Sequence, residues 1–138
     1  MIPRDLKNTL TFEKAVVPLA QTDNTAIVSS VIDMQGYSGL TFVILSGSLA
    51  DADATFTVLV EDDSDVAMGT AAAVSDDELI GTEAAASYTF SEDSTLKTIG
   101  YIGSKRYVRL TITPANNTGS AIFSVVAVKA PQVMGTTG

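Results

Sequence analysis

The chain has 138 residues, 46% hydrophobic and 17% charged, with a net charge of −8 and no cysteine, histidine or tryptophan. That length suits one domain with one core, and the composition is too apolar for global disorder. The missing residues exclude disulfides, thiolate metal centres and an imidazole general base, while the acidic balance argues against a nucleic-acid partner.

Residues 1–8 are polar and contain Pro3, and they read as an N-terminal arm without the apolar stretch of a secretory signal. No window approaches 18 uninterrupted apolar residues, so we expect no membrane span and synthesis in the cytoplasm. Strands are predicted at Thr9–Val17 and Ala26–Asp33, followed by a turn at Gln35-Gly36-Tyr37-Ser38-Gly39. Leu40–Leu45 is apolar on both faces and reads as a central strand covered on both sides. In Thr55–Glu61, Phe56, Val58 and Val60 alternate with polar positions, broken only by Leu59. A long connection runs from Asp62 to Glu83, where Ser75-x-x-Glu78 offers a capping box for one short helical turn.

Further strands are predicted at Ser87–Ser91 with Tyr88 and Phe90 inward, at Leu96–Ile102, at Tyr107–Thr113 and at Ala121–Ala130. Gly103-Ser104 and Pro114–Ser120 fit hairpin connections between the last three. In Ala121–Ala130, Ile122, Val126 and Val128 share one face while Ala121, Phe123, Val125 and Ala127 share the other. A strand apolar on both faces needs two covers, and the outer one is either the 62–83 connection or another subunit. The result is an all-β, single-domain antiparallel sandwich or barrel of about eight strands over residues 9–130, with a C-terminal tail at 131–138.

Asp51 and Asp53, with Glu61, Asp62, Asp63 and Asp65, offer the oxygens a calcium ion needs, but they lack the spacing of a calcium loop. The two groups also bracket one strand and lie about 20 Å apart at roughly 3.3 Å per residue, so they read as solvated loops. Asp76-Asp77-Glu78 are adjacent and give no reason to face each other across a cleft as glycosidase carboxylates do. No triad, nucleophile elbow or phosphate loop is present. We therefore expect no enzyme, no cofactor and no metal site.

Charge is segregated along the chain. Residues 15–96 hold fourteen acidic groups and no basic one, whereas residues 97–138 hold five basic groups and no acidic one. Three of those five fall in Lys105-Arg106-Tyr107-Val108-Arg109. With Val108, Leu110 and Ile112 facing the core, Lys105, Tyr107, Arg109 and Thr111 share the opposite face, and Arg106 reaches the rim. Cations flanking a tyrosine are typical of protein–protein contacts; an edge strand charged against aggregation is the plainer alternative.

The order of features resembles small proteins encoded beside the major capsid protein of tailed phages and prophages. The similarity spans roughly residues 5–130: Asp5-Leu6-Lys7-Asn8, Val31–Tyr37, Thr41-Phe42-Val43, Glu61–Ser64 and, most specifically, Gly100–Arg109. It implies a virion protein that binds the outer capsid surface as a decoration or cement protein. It further implies the major capsid protein as partner, a homo-oligomer with a trimer favoured, and no catalytic residues. On this reading Arg4, Lys7, Lys105, Arg106, Tyr107 and Arg109 are the interface candidates. Another virion component at the neck or tail, or a carbohydrate- or receptor-binding module, are the alternative readings.

Overall fold

Alternation dictates the architecture, because each long strand turns one apolar phase toward a common core. The computed structural model describes residues 4–132; residues 1–3 and 133–138, the ends of the expected arm and tail, lie outside the described residues. The described residues contain eleven strands. Six are long: β1 (Thr11–Gln21), β4 (Tyr37–Leu49), β5 (Thr55–Asp63), β9 (Leu96–Tyr101), β10 (Tyr107–Ala115) and β11 (Ala121–Pro131). Five are two-residue pieces: β2 (Ile27–Val28), β3 (Ile32–Asp33), β6 (Ala72–Ala73), β7 (Leu79–Ile80) and β8 (Tyr88–Thr89).

Pairing is antiparallel throughout. One sheet runs β1-β11-β4-β9-β7; the other runs β2-β10-β5-β6, with β3 added on β10 and β8 on β5. Between them pack Phe42 and Ile44, Phe56, Val58 and Val60, Ile99, Val108, Leu110 and Ile112, and Phe123, Val125 and Ala127, all buried. The Phe123 ring meets Phe56 at 5.0 Å and Tyr88 at 5.2 Å, both edge-on, and so ties the sheets together. Tyr88 carries its hydroxyl into this core and donates to the carbonyls of Ile44 and Thr95 at 2.9 and 2.8 Å.

Several expectations are corrected. Neither Gly103-Ser104 nor Pro114–Ser120 closes a hairpin: β9 and β11 lie in the five-stranded sheet and β10 in the other, so both connections cross between layers. The first crossing hugs the phenol of Tyr101, and a Cβ on Gly103 would sit 2.6 Å from that hydroxyl, which is why glycine stands there. The expected Ala26–Asp33 strand is split, because Ser30 N–H donates across the layers to the Ala15 carbonyl. Ser29, buried at the break, donates its N–H to Leu110 and accepts Leu110 N–H on its hydroxyl. Phe90 points outward, since β8 ends at Thr89 and the chain turns there.

The 62–83 connection is structured. It extends β5, supplies β6, makes a single 3₁₀ turn at Asp76–Glu78, and then pairs as β7 with β9. Ser75 makes no side-chain cap, so the expected capping box does not form. The true cap is Thr82, whose hydroxyl accepts Ala85 N–H at the start of the short helix α2 (Glu83–Ala86). The connection thus closes the side between β5 and β9 and leaves the outer face of β11 uncovered.

The described part of the expected arm leads into a helical turn, α1 (Leu6–Thr9), capped by the Asp5 carboxylate on Asn8 N–H. Gly36, at φ +85°, allows the tight turn into β4 that the Gln35–Gly39 signal predicts.

Candidate functional site

Two surfaces compete for the role of contact site. The first is the outer face of the six-stranded sheet around β10. As expected, Val108, Leu110 and Ile112 are buried while Tyr107, Arg109 and Thr111 lie partly exposed on the opposite face. Lys105 is exposed and makes no ion pair among the described residues. Arg106, just ahead of the strand, donates from Nε and Nη2 to the two carboxylate oxygens of Asp33, each at 2.9 Å. Its guanidinium also lies 4.9 Å from the centre of the Tyr107 ring. Arg109 Nε donates to Glu61 Oε1 across the strand pair at 3.0 Å.

Both arginines are therefore compensated within the molecule, which the local sequence does not reveal. Their partners lie 73 and 48 positions away. The Arg106 fork, with a bond from Gln35 N–H, holds the Asp33 carboxyl down at about 2. Each guanidinium keeps unused N–H donors, and the pairs fix where those donors point. The row reads Lys105, Arg106 stacked on Tyr107, then Arg109.

The second surface is the outer face of the five-stranded sheet. Phe12 and Val17 of β1, Ile122 and Val126 of β11, Leu45 of β4, Leu96 of β9 and Ile80 of β7 all point there and are exposed. Register sets them side by side: Val126 faces Val43 and Lys14, Leu45 faces Leu96 and Ser124, and Phe12 faces Val128. Leu40–Leu45 is therefore central in its sheet but covered on one side only, contrary to expectation. At one end of this face Leu10, Gly39, Thr41, Ile80, Gly100 and Ile102, with their neighbours, line a shallow groove of about 310 Å³. Lys14 lies exposed on β1, and Arg4 and Lys7 are exposed in the segment that leads into that strand; none of the three makes an ion pair among the described residues. Asp76, Asp77 and Glu78 occupy the opposite, β7 border.

The acidic loops act as staples. Asp51 accepts Asp53 N–H and both the N–H and hydroxyl of Thr118. Asp63 accepts Asp65 N–H and the N–H and hydroxyl of Thr70, closing the 63–70 loop. Asp62, buried, accepts the Tyr101 hydroxyl at 2.8 Å. Among the described residues no group of three or more carboxylates converges as a metal would require. Asp76, Asp77 and Glu78 share one exposed turn rather than two walls of a cleft.

Sequence reasoning missed Lys129. It holds the core-facing phase of β11, 4% exposed, where it pairs with Glu13, donates to the Asp33 carbonyl at 3.0 Å and sits 4.1 Å from the centre of the Tyr37 ring. Its alternation with Phe123, Val125 and Ala127 was the available signal.

No protein-family model matches this sequence, and no curated protein matches it. Among solved structures it is similar to the PBSX exported protein XepA, at 15% identity and a TM-score of 0.61, over 93% of this chain and 39% of that one. This similarity shows the two-sheet fold; the chain spans about two-fifths of XepA's length. The CBM22-1–GH10 modules of a Clostridium thermocellum endo-1,4-β-D-xylanase align at 11% identity over 95% of this chain and 28% of theirs, with a TM-score of only 0.41.

Proposed function

We propose that this chain is a structural protein of a tailed-phage or prophage particle, seated on the outer surface of the head. In this role it braces the assembled shell by contact with the major capsid protein and makes or breaks no covalent bond. The observation that carries the reading is the β10 row, where Arg106 and Arg109 are held by Asp33 and Glu61 on either side of a half-exposed Tyr107. Preorganised arginines beside an aromatic ring contribute strongly at protein contacts, because little side-chain freedom remains to be lost on docking. Lys105 adds an uncompensated cation for carboxylates on the shell.

The resemblance over residues 5–130 and the fold shared with the phage-related XepA support the same setting. A protein that binds only the assembled lattice stabilises it by mass action, and many copies multiply a modest affinity per site. Co-sedimentation tests this directly. Purified protein should pellet with expanded heads of the particle whose shell gene neighbours its own, and not with unassembled shell protein. The double substitution Tyr107→Ala, Arg109→Ala should weaken pelleting at least about tenfold, as loss of central contact residues does. Failure of the unaltered protein to bind heads, or measured turnover of a substrate, would overturn the reading.

A further inference from the structure

We infer that the outer face of the five-stranded sheet is covered by a second copy of this chain, related by a two-fold axis running along the strands. The inference holds whether or not the particle reading above does.

The face carries apolar side chains on all five strands, interleaved with Lys14, Thr41, Thr98 and Ser124. Phe12, Val17, Ile122, Val126, Leu45, Leu96 and Ile80 are each between 38% and 59% exposed, and they account for seven of the twelve exposed large apolar side chains among the described residues. An apolar area of this extent marks a contact surface. Five strands about 4.8 Å apart and some six residues at about 3.3 Å give a flat footprint near 500 Å², before side-chain relief. Relief brings it toward the roughly 600–800 Å² per partner of a specific interface, at the small end of the range.

Charge selects the occupant. One border of the face, at β1, carries Lys14, with Arg4 and Lys7 in the segment that leads into that strand, none of them in an ion pair among the described residues. The other border, at β7, carries Asp76, Asp77 and Glu78 on one turn, and the side chains of Asp76 and Asp77 make no hydrogen bond among the described residues. A two-fold axis along the strands lays the β1 border of each copy over the β7 border of the other. Two basic borders then meet two acidic borders around a shared apolar centre, and the contact is closed and self-complementary. An axis across the strands would instead oppose like charges. Face-to-face stacking of sheets with nearly aligned strands is an ordinary packing mode. The overall charge of −8 opposes association at long range, but salt screens it beyond about 8 Å and leaves the border contacts to decide.

The test uses the protein alone. Sedimentation equilibrium or light scattering should give twice the chain mass of 14.3 kDa at micromolar concentration. Val126→Asp, at an exposed position, should raise the dimer dissociation constant at least about tenfold, since a carboxylate desolvated at the apolar centre is costly even beside Lys14. Lys7→Glu with Lys14→Glu, and separately Asp76→Lys with Asp77→Lys, should each weaken the dimer at least about tenfold. Combining all four should restore it, a recovery that damaged folding would not produce. A monomer, a trimer as the resemblance implies, a dimer unaffected by Val126→Asp, or absence of rescue in the fourfold variant would each overturn the inference. So would loss of head binding by Val126→Asp with no change in mass, because the shell would then occupy this face.

Discussion

Tyr88 shows how one residue joins the layers. Its ring packs on Phe123, its hydroxyl closes two carbonyls at the five-stranded sheet, and Lys97 lies 4.7 Å from the centre of the ring. Burial, reinforced by nearby Glu92, pushes its phenol up from 10.0 to about 12. Because the folded value is the higher one, the stability linked to the neutral phenol is intact below pH 10 and is lost as pH rises toward 12. Unfolding followed by circular dichroism should therefore begin in that window, together with tyrosinate absorbance. Tyr88→Phe should cost about 1 kcal/mol in denaturant unfolding, since one buried hydroxyl proton shared between the Ile44 and Thr95 carbonyls is lost while Thr95 keeps its bond from Ser46 N–H. At this scale the sequence was legible where apolar phase decides burial, as for Val108 or Phe123. It was silent where distant partners decide, as for Arg106 with Asp33 or Lys129 with Glu13.

Among the elements, the alternating segments were readable because a period of two fixes which side chains share a face. Phase names no partner strand, however. The glycine-serine and proline-asparagine connectors satisfy turn chemistry equally well whether they fold back within a sheet or cross to the other one. Two-residue strands such as β3 and β7 leave no periodic trace at all. The 63–70 loop shows what holds such a connector. Burial tends to raise the Asp63 carboxyl, but bonds from Asp65, Thr70 and Ser64 outweigh it and leave the group below its ordinary value. Replacing Asp63 with Ala should speed amide exchange at Asp65 and Thr70 and open residues 64–70 to limited proteolysis. The strands should keep their protection; uniform loss across the core would contradict this local role.

Over the whole molecule, acid should loosen the fold in a defined range. Asp33 is lowered from 3.8 to about 2, chiefly by its bond from Arg106; Asp51 is lowered chiefly by the bond from Thr118 N–H, Glu92 chiefly by that from Lys97, and Asp63, against its burial, by bonds from Asp65 and Thr70. Folded values below unfolded ones mean that this stability is present above about pH 4.5 and drains away as pH falls toward 2. Thermal melting between those limits should show a falling midpoint, and Asp33→Asn should flatten part of that slope. A midpoint flat across the range would contradict the assigned bonds.

The order of strands also governs how the protein is born. β11 is made after every other strand among the described residues yet lies between β1 and β4, so the earlier strands emerge with a gap inside their sheet. Until residues 121–131 arrive, two apolar strand edges stay open, and nascent chains crowded on one message could pair with each other instead. A stop codon anywhere before Ala121 would not yield a shortened domain; it would leave β1 with no strand to join it to β4.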